Sequence, residues 1–166
     1  MTAPEFPRPV RIGSGRRQVT LEATEAERAA LARRFGILGL GALTAELDLS
    51  PGRGGVTLAR GRLRAEVTQE CVATGDPVEQ RVDAPLDLRI LPEGTPARDD
   101  DPDSPDEIET TGDTVDLGEV VAEQLALALD PYPRLPDAEI ELPDDPVEEV
   151  EAKPNPFAAL AKLRRG

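Results

Sequence analysis

Leu43, Ala45, Leu47 and Leu49 alternate with Thr44, Glu46 and Asp48. A period of two turns one face of a strand to the core and the other to water, so this run predicts a half-buried strand. Two further runs repeat the pattern. Val56 and Leu58, then Leu63, Ala65 and Val67, mark a second strand. Its inward parity flips between Leu58 and Leu63, and Gly61 stands at the flip, so a β-bulge is expected there. Val82, Ala84, Leu86, Leu88 and Ile90 alternate with Arg81, Asp83, Asp87 and Arg89 to mark a third. Pro85 falls on its wet phase. Proline has no N–H to give to a ladder, which argues for an edge position. Residues 50–55, rich in Gly and Pro, read as the turn between the first two strands, and residues 18–22 as a short strand before them. Strands joined by short turns imply an antiparallel sheet or a partial barrel.

Two helices bracket these strands. Thr24 and Glu27 have capping-box spacing, in which each side chain satisfies the other's free backbone N–H. Leu31 and Phe35 share one face beyond it, with Ala26, Ala29 and Ala30 nearby, and Gly36 is placed to end the helix in a left-handed conformation. Asp116 and Glu119 repeat the capping pattern ahead of an apolar face of Leu117, Val120, Val121, Leu125 and Ala128. Asp130-Pro131 should stop that helix, because a residue before proline avoids helical geometry. Between strands and second helix, residues 92–112 are Pro, Gly and acid, with seven carboxylates in residues 99–109. A mobile, solvated loop is expected. At the far end Asn155 can cap, Pro156 suits a first turn, and Phe157, Leu160 and Leu163 line one side of a short basic amphipathic helix.

The fold class is therefore α+β: a mainly antiparallel sheet or partial barrel, two covering helices and a short C-terminal helix. Residues 1–16 read as a flexible arm and residues 17–135 as one domain holding the acidic loop. Residues 136–166 read as an acidic linker with the amphipathic helix. The length, 166 residues, suits one domain. With only Phe6, Phe35, Phe157 and Tyr132 aromatic, the core must be aliphatic, and twenty leucines supply it. No apolar run approaches the roughly 18–20 residues that span a bilayer. The first residues lack the apolar stretch of a secretory leader, and Cys71 is the only cysteine, so a reducing cytoplasm is the expected compartment.

Absences narrow the function. The chain has no histidine. That removes the commonest general acid–base, the commonest metal ligand and every Ser-His or Cys-His nucleophile pair. One cysteine without histidine also excludes a four-ligand structural zinc site of Cys and His. No phosphate loop or dinucleotide fingerprint is present; the glycines at 36–41 and 52–55 have the wrong spacing and read as turns. The chain is expected to bind rather than catalyse, with no cofactor, no metal, no membrane and no small-molecule substrate. Net charge is −14, split as +3 over residues 1–70 and −17 over residues 71–166. Such asymmetry bears on partners rather than on fold.

Three features are candidates for a site. Arg60, Arg62 and Arg64 share the wet face of the second strand at about 6.6 Å spacing, able to track phosphates or an acidic partner. The alternative is a solvated strand face balanced by Glu46 and Asp48 on its neighbour. Cys71 is either a reactive thiol or a half-buried turn residue, with nothing basic adjacent to lower its pKa. Asn155, Pro156, Phe157, Leu160 and Leu163 are either a docked helix or a detachable interaction motif. The clustered acids read as solvated loop rather than a glycosidase dyad, and residues 99–103 lack the Gly and terminal Glu of an EF-hand.

Three segments in order carry a family resemblance: residues 67–78, VTQECVATGDPV; residues 116–134, DLGEVVAEQLALALDPYPR; and residues 153–163, KPNPFAALAKL. Together they resemble the YceD family of large-subunit ribosomal RNA accumulation proteins, most closely its alphaproteobacterial branch. The resemblance implies a non-enzymatic role in accumulation of that RNA or in ribosome assembly; two partners would serve it, ribosomal RNA on the Arg60, Arg62 and Arg64 face or a basic ribosomal protein on the acidic half, and the charge of −17 over residues 71–166 favours the second. It also implies that Cys71, Thr74 and Pro77 form the family's turn motif. Many relatives carry Cys-x-x-Cys at that turn and a second pair downstream. Here Thr74 takes the second position and no cysteine follows Tyr132, so a zinc site does not carry over. The alternatives are a general adaptor using the C-terminal segment and a Cys71-dependent enzyme.

Overall fold

The computed structural model describes residues 4–13, 15–96 and 102–136. Its centre is an open five-stranded sheet in the order β2-β3-β4-β5-β6, where β2 is Arg17–Glu22, β3 Gly39–Pro51, β4 Thr57–Glu70, β5 Pro77–Leu91 and β6 Asp106–Glu109. A two-stranded sheet pairs β1, Pro9–Arg11, with β7, Thr114–Asp116. Helix α1 covers Glu25–Phe35 and α2 Leu117–Ala128. The sheet does not close, so the partial-barrel alternative is set aside. Every strand pair is antiparallel except β5 with β6, which run parallel.

The alternation in β3 does what a period of two requires. Leu43, Ala45, Leu47 and Leu49 are buried beside Leu63, Ala65 and Val67 of β4 and Leu86, Leu88 and Ile90 of β5. Leu31 and Ala32 of α1 and Leu117, Val120, Val121, Ala122 and Leu125 of α2 join the same cluster. Ala128, expected on that apolar face, is exposed, and Ala122 takes the inward place.

Gly61 carries no bulge. The β3–β4 register runs unbroken from Ala42↔Glu66 to Pro51↔Thr57, and the one irregularity lies between Leu40 and Ala42. Inward parity in β4 is continuous through Thr57, Ala59, Gly61 and Leu63, while Val56 and Leu58 are half-buried on the other phase. A β-carbon at Gly61 would overlap the backbone carbonyl of Glu46, so this inward position is held by glycine within an unbroken ladder, packed between Leu47 and Leu86 of the neighbouring strands. Pro85 lies opposite Arg62, on the stretch of β5 that has no outer partner among the described residues; β6 pairs only with Leu88–Leu91. That agrees with the edge position expected of it.

Helix α1 has the full capping box at Thr24 and Glu27, and Gly36 ends it at φ 66°. In α2 only half the box forms. Asp116 accepts from the Glu119 N–H, but the Glu119 carboxylate turns away to Arg34 at 2.7 Å.

Residues 4–13, expected as an arm, are packed. Phe6 is 1 % exposed. The Arg8 N–H donates to Asp116 Oδ1 at 2.8 Å, and the Leu117 N–H donates to the Arg8 carbonyl at 3.0 Å. The Arg8 guanidinium forks onto both Glu27 carboxylate oxygens at 2.8 Å. Gly118 makes room for this strap, since a β-carbon there would overlap the Phe6 carbonyl. The acidic stretch also holds structure: β6 pairs Ile108 with Ile90, Arg89 meets Glu107 at 3.0 Å, and the buried Thr110 hydroxyl donates to the Leu91 carbonyl. Asp99, Asp100 and Asp101 lie outside the described residues.

Candidate binding surfaces

Arg60, Arg62 and Arg64 project from the wet face of β4, in the middle of the sheet, and are half to two-thirds exposed. The register surrounds them with carboxylates. Arg60 lies between Asp48 and Asp87, Arg62 opposite Glu46, and Arg64 opposite Asp83. The ion pairs run toward β5: Arg60 Nε to Asp87 at 3.3 Å, Arg62 Nε to Asp83 at 2.7 Å, and Arg64 Nε to Asp83 at 3.9 Å. The hydrogen bond from Arg62, helped by the charge of Arg64, holds Asp83 below the usual carboxylate range. Three guanidiniums are thus balanced by Glu46, Asp48, Asp83 and Asp87. Exposed pairs of this kind are worth about 0–1 kcal/mol each. The face is a solvated, charge-compensated lattice rather than an uncompensated basic track.

Cys71 ends β4 and is buried, 2 % exposed. Its N–H donates to the Asp76 carbonyl and its own carbonyl accepts from the Gly75 N–H, both at 2.8 Å, closing a tight turn in which Gly75 has φ 77°. The thiol is pulled down to about 7, first by the Thr74 hydroxyl and then by the Leu135 backbone. No basic neighbour is involved; hydrogen bonds supply the effect that sequence reasoning looked for in charge. Pro77 opens β5 opposite Glu70 and is exposed. The turn docks against the chain beyond α2, where the Val72 N–H donates to the Pro133 carbonyl at 2.9 Å. Among the described residues no group of three metal-ligating side chains is found. No helix among them is long and apolar enough to cross a membrane. Asn155, Pro156, Phe157, Leu160 and Leu163 lie outside the described residues.

One surface escaped the sequence reading. Among the described residues the exposed large apolar ones are Leu38, Val72, Leu127 and Tyr132, and all stand at the end of the sheet where β4 finishes and β5 begins. The Leu38 N–H donates to the Thr68 carbonyl, and Val72 is bonded to Pro133 next to Tyr132. Leu127 is in the last turn of α2, three residues before Asp130, whose carbonyl and carboxylate accept from Gln69 and Gln80. A signal was present in Leu127, which is off the apolar phase of its helix, and in Tyr132, an aromatic just past a helix stop.

No curated protein and no solved structure matches the chain. One family model, described as large ribosomal RNA subunit accumulation protein YceD, matches residues 59–164. That stretch takes in β4, the Cys71 turn, β5, α2 and all three resembling segments, and it is more than half of the chain. The chain belongs to the YceD family of large ribosomal RNA subunit accumulation proteins.

Proposed function

We propose that the protein is a non-enzymatic factor that supports accumulation of large-subunit ribosomal RNA by binding a basic ribosomal protein. The observation that carries this reading is the charge balance of the Arg60, Arg62 and Arg64 face. Its guanidiniums already hold Asp83 and Asp87, on a chain of net charge −14. A phosphate backbone would have to displace those carboxylates and would meet repulsion from the rest of the surface, whereas a basic protein meets complementary charge. The lack of histidine and the family's description as an accumulation factor support a non-enzymatic role. Its site of action is the cytoplasm, where ribosomal proteins and ribosomal RNA meet.

The test is binding of the purified chain to RNA-free large-subunit ribosomal proteins and, separately, to ribosomal RNA fragments. Capture of basic ribosomal proteins that survives nuclease treatment is the expected result. Binding to RNA alone, with a log–log salt slope of about −2 to −3 that vanishes in Arg60→Ala/Arg62→Ala/Arg64→Ala, would overturn it, because three released counterions give that slope.

A further inference from the structure

The end of the sheet that bears Leu38, Val72, Leu127 and Tyr132 combines two properties that rarely coincide on a surface with no partner. These side chains are 55 %, 58 %, 78 % and 73 % exposed. Large apolar residues gathered on one surface mark interaction sites, whereas scattered single ones need no explanation. Among the described residues no large apolar side chain is exposed elsewhere. The surroundings are acidic. Asp76 stands in the turn with Val72, Asp130 follows α2, and Glu123 lies one turn before Leu127 on the same side of the helix, while Glu66, Glu70 and Glu79 stand at the same end of the sheet on the wet phase shared with Arg60, Arg62 and Arg64. All six are exposed. The cations nearby are Arg33, Arg81 and Arg134, of which Arg81 stands 4.0 Å from Glu66.

The patch is also held in place. Val72 is fixed by its backbone bond to the buried Pro133. The Tyr132 N–H donates to Asp130 Oδ1 at 2.9 Å, and Gln80 reaches Asp130 Oδ2 at 3.4 Å. An aromatic on a fixed backbone beside aliphatic anchors, with carboxylates nearby, is the composition of an interface centre that accepts apolar knobs flanked by positive charge.

We propose that this end of the molecule, centred on Val72, Leu127 and Tyr132, is the surface that takes a cationic, apolar-anchored segment of the basic protein partner; this rests on the function proposed above. Apolar side chains of the segment cover Val72, Leu127 and Tyr132, and its Lys or Arg residues meet Asp76, Glu123 and Asp130.

The experiment uses the full chain and RNA-free large-subunit ribosomal proteins as probe. Binding is measured for wild type and for Val72→Ser/Leu127→Ser/Tyr132→Ser, whose melting temperature should match wild type because all three side chains are exposed. The expected loss of affinity is at least about tenfold, the effect of removing an interface centre. In parallel, Tyr132→p-benzoylphenylalanine is photo-crosslinked and the attached peptide sequenced; a Lys/Arg-rich peptide of a ribosomal protein is expected. If wild type captures ribosomal proteins and the triple variant captures them equally well, this surface is wrong and the function reading survives. If wild type captures none, the function reading falls and takes the surface with it. A crosslink to RNA, or to residues 153–165 of the same chain, overturns the proposal by assigning the surface another occupant.

Discussion

Replacing Phe6 by Ala tests whether the segment before β2 is part of the fold. The ring is 1 % exposed and belongs to the buried cluster, and the Arg8 guanidinium stacks on it at 4.4 Å. Phe→Ala at a buried site costs about 3–5 kcal/mol from lost burial and the cavity left behind. The stacked cation adds about 0.5–1 kcal/mol. Against a typical total of about 5–15 kcal/mol, that is a large share. Urea unfolding followed by circular dichroism reads it directly as a fall in midpoint at constant slope. Melting temperature should fall by about 7–24 °C, taking about 2–4 °C per kcal/mol for a chain of this size. Arg11→Ala is the internal control. Its ion pair to Asp113 is exposed, 80 % and 59 %, so the urea midpoint should stay close to wild type. A Phe6→Ala variant within about 0.5 kcal/mol of wild type would show that the strap is detached and that its contacts carry no stability.

Gly61→Ala should destabilise by about 1–3 kcal/mol, because its β-carbon meets a backbone carbonyl that cannot move aside; Gly13→Ala, with open space around it, should leave the urea midpoint unchanged. The Glu27 carboxyl is held at about 2, first by the hydrogen bond from Arg8. A folded value below the unfolded one contributes stability that is full above pH about 4.5 and is lost as pH falls through about 2. Urea midpoints measured from pH 2 to 6 should therefore drop toward the acid end, and Glu27→Gln should flatten that part of the curve; an unchanged slope would remove Glu27 from the account. The Cys71 thiol at about 7 should still react with a bulky disulfide reagent at least about tenfold faster in urea than in the native state, since burial rather than protonation limits access. Equal rates would show that the Asp76 turn opens freely.

What the sequence made legible was local. Thr24, Glu27 and Gly36 announce a helix through partners within four residues, and all three act as the spacing requires. The alternation in β3 is equally readable because inward and outward follow from neighbours one residue apart. The failures share a different cause. Val56 and Leu58 look like core residues, yet the ladder puts Thr57, Ala59 and Gly61 on the inward phase and leaves these two half-buried on the other, which only cross-strand register decides. Phe6 has no local periodicity to mark it, and its segment is tied to Asp116 across 108 positions. Ile108 sits among acids that read as solvent-exposed, and its strand exists because β5 offers Ile90 beside it. The same limit governs the candidate site. That Arg60, Arg62 and Arg64 share a face is written in their spacing, but their neutralisation by Asp83 and Asp87 depends on a register no single strand contains.

Charge on this molecule is arranged along the strands as well as between halves of the chain. Arg11, Arg16, Arg17 and Arg53 stand at the end where β2 begins and β3 turns into β4, beside Asp48, Glu93 and Asp113. At the opposite end Glu66, Glu70, Asp76, Glu79 and Asp130 outnumber Arg33, Arg81 and Arg134. With Arg89, Asp106, Glu107 and Glu109 of the β3–β4 end counted as well, carboxylates outnumber cations at both ends, and the sheet face between them is compensated. A basic protein bound as proposed above would meet complementary charge at the end that bears Val72, Leu127 and Tyr132, which raises association rate and selectivity more than affinity. Exposed carboxylates in water contribute little binding energy by themselves. The energy must come from surface removed from water, at about 25 cal/mol per Å² of apolar area, and on the described residues the large exposed apolar area lies at that same end. On the proposed reading, complementary charge and apolar area would act at one end of the sheet.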